Sequence, residues 1–100
     1  MNSCYVYILT NKHRTVLYTG VTSDIINRLE EHKQGKYSGF TKRYNATILI
    51  YLEKFDYIDK AIEREKQIKK FRRSKKLTLI QSTNPNLIEL TLTQGETLSS

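Results

Sequence analysis

Two short runs of alternating, largely apolar residues lie near the start of the chain, at about 4–9 and 16–22. A polar loop separates them, and this pattern predicts two antiparallel strands of one hairpin. If the loop closes so that Thr10 faces Thr15, Tyr7 stands directly opposite Tyr18. Because side chains alternate across a strand, both rings then project from the same face of the sheet. The pattern therefore predicts two neighbouring phenols.

Helical spacing follows the second run, and an apolar stripe predicts a helix over about 24–34. Thr22 or Ser23 is available as its N-cap. Arg28 and His32 are four residues apart on this helix and so lie one above the other along one side of it. The helix is expected to present a cation and an imidazole close to the end of the second strand.

The rest of the chain predicts a loop, a third strand and two further helices. In order, these cover about 35–45, 46–54, 57–71 and 74–81, with Asp56 as the N-cap of the longer helix. The expected fold class is α/β, of the α+β kind: a three-stranded antiparallel sheet flanked by helices. One domain over 1–90, anchored at its end by Leu87, Ile88 and Leu90, and a flexible C-terminal tail over 91–100 complete the prediction.

The loop at 35–45 alternates aromatic with basic residues. Its cations are Lys36, Lys42 and Arg43, and its rings include Phe40 and Tyr44. Cations suit phosphates and rings suit stacking on bases, so the loop is a candidate nucleic-acid contact. A surface loop whose rings only close the edge of the core fits the pattern equally well, and both interpretations stay open.

A carboxylate falls within the apolar stripe of the helix at 57–71. Glu65 lies in the middle of the stripe, whose apolar members are Ile58, Ala61, Ile62 and Ile68. An ionised carboxylate facing a core is costly unless it is paired or bound to a metal. From the residues alone, a salt bridge to Arg28 or to a nearby lysine and a metal site are both open.

Charge adds a class of partner to this picture. The 100 residues include seventeen Lys and Arg against ten Asp and Glu, which gives a formal net charge of +7 and a pI near 9.6. Such a balance favours a polyanion, and nucleic acid is the first candidate. A dense basic run covers 66–76; its members are Lys66, Lys69, Lys70, Arg72, Arg73, Lys75 and Lys76.

The remaining composition points to the cytoplasm. Cys4 is the only cysteine, so no intramolecular disulfide forms. No apolar run approaches the length of a membrane span, and the N-terminus lacks the pattern of a secretory signal. A membrane partner is therefore not expected.

The two tyrosine-bearing strands and the residues after them resemble the GIY-YIG nucleases. Tyr5-Val6-Tyr7 is similar to the first signature, with Tyr5 in place of its glycine, and Tyr18-Thr19-Gly20 is similar to the second, with Thr19 in place of its isoleucine. Arg28 stands at the family's distance from Tyr18. The resemblance is strongest with the small stand-alone YhbQ-like or YazA-like group.

The resemblance implies a role for each candidate residue. Tyr18 would be the base or water activator, Tyr7 would orient it, and Arg28 would clamp the phosphate. Glu65 would hold one divalent cation, Mg²⁺ or Mn²⁺. His32 would move a proton or bind phosphate, although a half-buried structural histidine fits its position as well. Gly20 lies where a side chain would block the close approach of backbone or ligand.

One residue of the family pattern is missing. The family's site asparagine falls on Leu77, and Asn84 or Asn86 is a candidate substitute. The leading functional hypothesis is a metal-dependent endonuclease that hydrolyses DNA, with branched or damaged DNA and hence DNA repair among its candidate roles. The alternative is a non-catalytic nucleic-acid-binding module with the same fold. A basic protein bound to ribosomal RNA is a third hypothesis, which leaves Glu65 unexplained.

RNA is the less favoured partner of the two nucleic acids. A monomer or weak dimer is expected, and long-sequence specificity would need a partner because the chain has no second DNA-reading module.

Overall fold

Three strands and four helices make up the computed structural model, which describes residues 3–92. In chain order the elements are β1 (Cys4–Thr10), β2 (Tyr18–Thr22), α1 (Ile25–Lys33), α2 (Gly39–Tyr44), β3 (Ile48–Phe55), α3 (Ile58–Lys69) and α4 (Arg73–Gln81). The strands form one antiparallel sheet in the order β2-β1-β3. The predicted three-stranded sheet flanked by helices is confirmed.

The central strand β1 is covered on both faces, as its two apolar faces require. Val6 and Ile8 belong to a core that also contains Ala61 and Ile68 of α3. The opposite face packs in a second core, built around Tyr7 and including residues of α1. Because β1 lies between the other two strands, β2 is an edge strand of the sheet.

The register of the hairpin differs from the prediction. Tyr7 pairs with Gly20, and Tyr18 pairs with Leu9, so the two tyrosines are diagonal neighbours. The loop at 11–17 is longer than predicted because the Asn11 side chain bonds both the backbone and the hydroxyl of Thr15, which keeps Thr15 out of the strand. The shift is two residues, and a two-residue shift leaves every side chain on its face. Both phenols therefore still share one face.

Gly20 is needed because the Tyr7 ring lies directly over it. A Cβ atom built at position 20 would overlap the Cζ and Oη atoms of Tyr7. Tyr7 is fully buried, so its ring has no free space into which to move. The close approach at this glycine is thus made by a site tyrosine.

The segment 35–45 contains a helix and was wrongly predicted as a loop. The side chain of Ser38 caps α2 by accepting a hydrogen bond from the backbone N–H of Phe40, and Asn45 ends the helix in the left-handed region with φ 54°. The N-caps that the sequence predicted for α1 and α3 were wrong. Asp24 is the N-cap of α1, where its side chain accepts from the backbone N–H of Asn27, and the N-cap of α3 is Tyr57, one residue after Asp56.

The buried stripe of α3 is narrower than predicted. Ala61 and Ile68 are fully buried, whereas Ile58 and Ile62 are 46% and 37% exposed, which corrects their assignment to the core. Glu65 keeps its place between the two buried residues, on the side of the helix that faces the sheet.

Asn84 fastens the segment after α4 to the sheet. Its amide nitrogen donates to the carbonyls of Ile50 and Ile88, and its amide oxygen accepts from the N–H of Ile88. Leu87 and Leu90 are half-buried as expected, but Ile88 is exposed. Most of the predicted tail, residues 93–100, lies outside the described residues. Within 3–92, no helix has the length and apolar character needed to cross a membrane.

Candidate functional site

Tyr7, Tyr18 and His32 form one aromatic cluster on the α1 side of the sheet. The ring centroids of Tyr7 and Tyr18 are 6.4 Å apart, and the His32 ring lies 5.7 Å from Tyr7 and 5.3 Å from Tyr18. β1 supplies the first tyrosine, β2 the second, and α1 the histidine. The structure thus brings together three of the four predicted catalytic side chains in direct contact.

Arg28 lies beside this cluster and is held from several sides. Its Nη1 donates to the carbonyl of Val21 at 3.2 Å, and its Nε lies 3.3 Å from a carboxylate oxygen of Glu31. Its guanidinium carbon is 3.9 Å from the centroid of the Tyr37 ring. The guanidinium also lies near enough to the Tyr7 hydroxyl to act on the pKa of that group, which it lowers. A guanidinium fixed in this way is preorganised for an anion.

His32 is a buried, neutral base in the free protein. Its side chain is 1% exposed, with Nε2 2.9 Å from the Tyr7 hydroxyl and Nδ1 2.9 Å from Oγ1 of Thr41. Burial, reinforced by the positive charge of Arg28, lowers the pKa of His32 to about 4. At neutral pH the imidazole therefore accepts and donates one hydrogen bond each.

The two phenols are also neutral in this state. Burial raises the pKa of Tyr7, against the opposing hydrogen bond from Arg28. Burial and the neighbouring Tyr37 raise the pKa of Tyr18, although Ser38, Lys69 and Arg28 act in the other direction. The positive charge of Arg28 thus does not offset the burial of Tyr18, and the protein alone does not hold a preformed phenolate.

The lowered pKa of His32 predicts an acid-sensitive fold. Between pH 6.5 and about 4 the unfolded chain takes up a proton that the folded histidine refuses, so stability falls as the pH falls through this window. We expect His32 to account for a loss of roughly 2 to 3 kcal/mol in the free energy of unfolding between pH 7 and pH 4.5. Urea unfolding at both pH values measures this loss.

His32→Gln should remove most of this pH dependence. His13→Gln is the matched control, since His13 is the only other histidine and is exposed. An equal loss of stability in wild type and His32→Gln would contradict the buried, neutral state of His32.

Glu65 lies on α3, on the opposite side of the sheet from the tyrosine rings. Its side chain is 12% exposed, and its carboxylate is 2.6 Å from Nζ of Lys69. Of the two salt bridges considered from the sequence, the lysine pair forms and Arg28 pairs with Glu31 instead. The Glu65 carboxylate raises the pKa of Lys69, and Lys69 is also within electrostatic reach of Tyr18 and Tyr37. The Glu65–Lys69 pair is therefore near the tyrosine cluster.

The donor set around Glu65 fits a weakly held divalent cation. Among residues 3–92, no group of three or more potential ligands gathers in one place. Mg²⁺ commonly uses one or two carboxylates and takes its other ligands from water and substrate phosphates. Glu65 is a mostly buried carboxylate that already binds a cation, the ammonium of Lys69, so its chemistry suits this kind of site.

An aromatic surface continues from Tyr18 along α2. The Phe40 ring centroid lies 5.9 Å from Tyr18 and 4.9 Å from Tyr44, and both residues of α2 are exposed. The Arg43 guanidinium lies over the Tyr44 ring at 5.5 Å. Lys36 and Lys42 are exposed in the same segment. Thr41 of this segment is buried, whereas Phe40, Tyr44 and the three cations are exposed. The nucleic-acid contact of this segment stays a prediction.

The basic run occupies the end of α3 and the start of α4. Its exposed members are Lys66, Lys69, Lys70, Arg72, Arg73 and Lys75. Lys69 is engaged by Glu65, and an amino group of Arg73 donates to the backbone carbonyl of Arg14. Among residues 3–92, the side chains of Lys70 and Arg72 form neither a hydrogen bond nor an ion pair, so these two residues are clear candidates for phosphate contacts.

The family follows from comparison with known proteins. A model described as the GIY-YIG catalytic domain matches residues 3–78, a range that includes every candidate catalytic and metal residue. The chain belongs to the GIY-YIG family. Its relatives include a UPF0213 protein of Syntrophus aciditrophicus, 45% identical over 85% of this chain and 97% of the relative. A UPF0213 protein of Staphylococcus saprophyticus is 41% identical over 80% of this chain and 96% of its own length.

A solved structure agrees with this assignment. The solution NMR structure of a UPF0213 protein from Bacillus halodurans has 30% sequence identity and a TM-score of 0.56, over 84% of this chain and 88% of that one. The chain is thus a small stand-alone GIY-YIG protein of the UPF0213 type.

One departure from the GIY-YIG pattern concerns the asparagine. Leu77, at the expected position, is half-buried on α4. The side-chain amide of Asn84 donates both of its hydrogens to backbone carbonyls, so this side chain has a structural role. Asn86 is exposed, so of the two candidates for the missing site asparagine it is the one whose side chain is accessible.

Sequence reasoning missed two residues that contact the site. Thr41 bonds His32, and the Tyr37 ring lies between Arg28 and His32, 4.9 Å from the imidazole centroid. The available signal was Ser38, a capping residue placed directly before a short stretch that includes Thr41.

Proposed function

We propose that this protein is a metal-dependent endonuclease that hydrolyses phosphodiester bonds in DNA. The observation that carries the proposal is the convergence of a buried tyrosine, a half-buried tyrosine, a fixed guanidinium and a neutral histidine. A carboxylate suited to a divalent cation lies on α3, across the sheet from the rings. GIY-YIG family membership supports the same reaction class. Residues 1–90 would act as one catalytic domain, as a monomer or weak dimer.

Arg28 binds the scissile phosphate in this mechanism. Charge grows on the phosphate oxygens in the transition state, and a guanidinium already held by Val21, Glu31 and Tyr37 needs little reorganisation to stabilise it. The Arg28 side chain is 21% exposed and stacks on the Tyr37 ring, so a phosphate that reaches it would lose part of its contact with water. Loss of water strengthens the attraction between the two groups.

Tyr18 orients the attacking water. Its phenol is neutral when the water binds. Because burial raises the pKa of Tyr18, proton acceptance by its oxygen requires a change in the local charge on substrate binding. Tyr7 and His32 form a buried support for this group, since both contact the Tyr18 ring. A Phe at position 18 would keep the ring contacts and lose the hydroxyl.

Glu65 would hold the metal, Mg²⁺ or Mn²⁺, which supplies positive charge to the leaving oxygen and the phosphate. Lys69 would leave the carboxylate when the cation binds and would then be free to contact phosphate. In the free protein, the ion pair with Lys69 orients the carboxylate of Glu65.

The substrate would bind across the basic and aromatic surface around the site. Lys36, Lys42 and Arg43 adjoin the rings of Phe40 and Tyr44, and the basic run follows Glu65 along α3 and α4. Phosphates suit the cations, and bases suit the exposed rings. Branched or damaged DNA, which offers accessible bases, fits such a surface, and a role in DNA repair is proposed on that ground.

Binding should depend steeply on salt. We expect Lys70→Gln and Arg72→Gln each to weaken DNA affinity and to reduce the slope of log affinity against log salt by about 0.9 per lost phosphate contact. Fluorescence anisotropy over a range of salt concentrations gives both values. Lys54→Gln is the control, because Lys54 is exposed on β3, the opposite edge strand of the sheet. Unchanged slopes for both test variants would contradict the proposed DNA-binding surface.

A non-catalytic nucleic-acid-binding module is the second candidate. The neutral phenol of Tyr18 and the occupied carboxylate of Glu65 favour it. Incubation of the wild type with single-stranded, duplex, nicked and branched DNA in Mg²⁺, Mn²⁺ or EDTA separates the two candidates. The endonuclease cleaves at least one form with a divalent cation and none with EDTA, and Glu65→Ala does not cleave. Binding without cleavage of any form would establish the module.

A further inference from the structure

Four polar groups in succession connect α2 to the centre of the site. The Tyr7 hydroxyl is 2.9 Å from Nε2 of His32, and Nδ1 of the same ring is 2.9 Å from Oγ1 of Thr41. The Thr41 hydroxyl is in turn 3.2 Å from the backbone carbonyl of Ser38 and donates to it. Tyr7, His32 and Thr41 are all buried, so water does not supply alternative partners for them.

The direction of each bond follows from the number of hydrogens available. A threonine hydroxyl has one hydrogen, and donation to the carbonyl of Ser38 leaves Oγ1 able only to accept. Nδ1 of His32 must then carry the hydrogen that Oγ1 accepts. A neutral imidazole has one N–H, so Nε2 is bare and accepts the hydrogen of the Tyr7 hydroxyl.

The consequence for Tyr7 concerns what its oxygen offers to the site. Its only hydrogen points inward to His32, so the side facing Arg28 and Tyr18 presents lone pairs alone. The guanidinium of Arg28, which lowers the pKa of Tyr7 against the effect of burial, suits this arrangement because a guanidinium only donates. Groups that approach Tyr7 from the site must therefore donate, as water, a tyrosine hydroxyl and a guanidinium do.

We propose that Thr41 is a positioning residue that fixes the Nδ1–H tautomer of His32 and thereby holds Tyr7 as a hydrogen-bond acceptor toward the reacting groups. The catalytic part of this proposal rests on the proposed nuclease function, whereas the tautomer does not. If Thr41 donated to Nδ1 instead, every bond would reverse. Nε2 would then carry the hydrogen, and the Tyr7 hydroxyl would donate into the site.

The helix α2 is what brings the Thr41 hydroxyl to both of its hydrogen-bond partners. The capped first turn of α2 places the Thr41 hydroxyl within reach of the Ser38 carbonyl, the back-bonding that helical threonines commonly form. The same turn places that hydroxyl at the Nδ1 edge of the His32 ring. A valine at position 41 would fill nearly the same volume but would leave the Nδ1–H without an acceptor.

Long-range ¹H–¹⁵N correlation spectra of the free, labelled protein test the tautomer directly. The chain has two histidines, so His13→Gln assigns the His32 signals. We expect a bare Nε2 and a protonated Nδ1 in the wild type and in Thr41→Ser, and a mixture or reversal in Thr41→Val. A protonated Nε2 in the wild type would overturn the proposal, whether or not Thr41→Val folds. Wild-type signals in Thr41→Val would overturn it too.

Steady-state cleavage kinetics test the functional part with the same three proteins. We expect kcat of Thr41→Val to fall about tenfold with KM unchanged, and Thr41→Ser to stay within about twofold of the wild type. Unaltered kcat in Thr41→Val, despite a changed tautomer, would refute the positioning role. The expected tautomers in a wild type that cleaves no DNA would leave the hydrogen-bond arrangement intact and refute the nuclease function alone.

Discussion

Arg28→Ala should lower single-turnover cleavage about 10²- to 10³-fold while the protein stays folded and binds DNA almost normally. The effect is large because the guanidinium is held in advance by Val21, Glu31 and Tyr37 and meets charge that develops only in the transition state. Affinity is expected to survive because the basic run contributes most of the attraction to DNA. Rapid-quench kinetics and anisotropy measure the two effects separately.

Two control variants separate the effect of the planar guanidinium from that of a positive charge, and the effect of position 28 from that of any cation on α1. Arg28→Lys keeps the charge but loses the fork of donors and the stacking on Tyr37, so it should recover only part of the rate. Lys33→Ala removes an exposed cation from the same helix and should cleave at the wild-type rate. A rate near that of the wild type in folded Arg28→Ala would remove this residue from the mechanism.

Glu65→Gln should abolish metal-dependent cleavage, and excess metal should restore little of it. A neutral amide is a far poorer ligand for a hard divalent cation than a carboxylate of the same shape. Binding of Mn²⁺ to the protein without DNA, followed by electron paramagnetic resonance, gives a second readout that does not depend on activity. We expect the variant to bind Mn²⁺ more weakly than the wild type.

Glu63→Gln is the matched control for this change. Glu63 is on the same helix, 72% exposed, and pairs loosely with Lys60 at 3.9 Å. It should leave both metal binding and cleavage unchanged. Equal behaviour of the two variants would show that Glu65 serves only as the ion-pair partner of Lys69.

Periodicity predicted the features of this fold that depend on spacing along one element. Strand alternation placed Tyr7 and Tyr18 on one face, and it did so even with a register wrong by two residues, because a two-residue shift preserves the face. Four-residue spacing placed Arg28 beside His32 on α1. The GIY-YIG resemblance then supplied the chemistry that links these residues, which spacing does not contain.

Features that depend on a few local hydrogen bonds were not predicted. The register is set by bonds between Asn11 and Thr15 within the hairpin loop. The short helix α2 relies on its cap at Ser38 and a left-handed Asn45 and has too few turns to show a period. Thr41, which reaches His32 only because that helix forms, was invisible for the same reason. Hydrogen bonds such as these are defined only in the folded chain.

Single-turnover cleavage by wild type and Tyr18→Phe tests the central claim, that the tyrosine cluster is a hydrolytic centre. Both proteins are compared with saturating Mn²⁺ on the DNA form that the wild type cleaves best, with folding checked by circular dichroism. Phe keeps the ring contacts with Tyr7 and His32 and removes only the hydroxyl. The account predicts cleavage by the wild type and none by the folded, DNA-binding Tyr18→Phe. Near-equal rates, or a wild type that cleaves no DNA form, would contradict it.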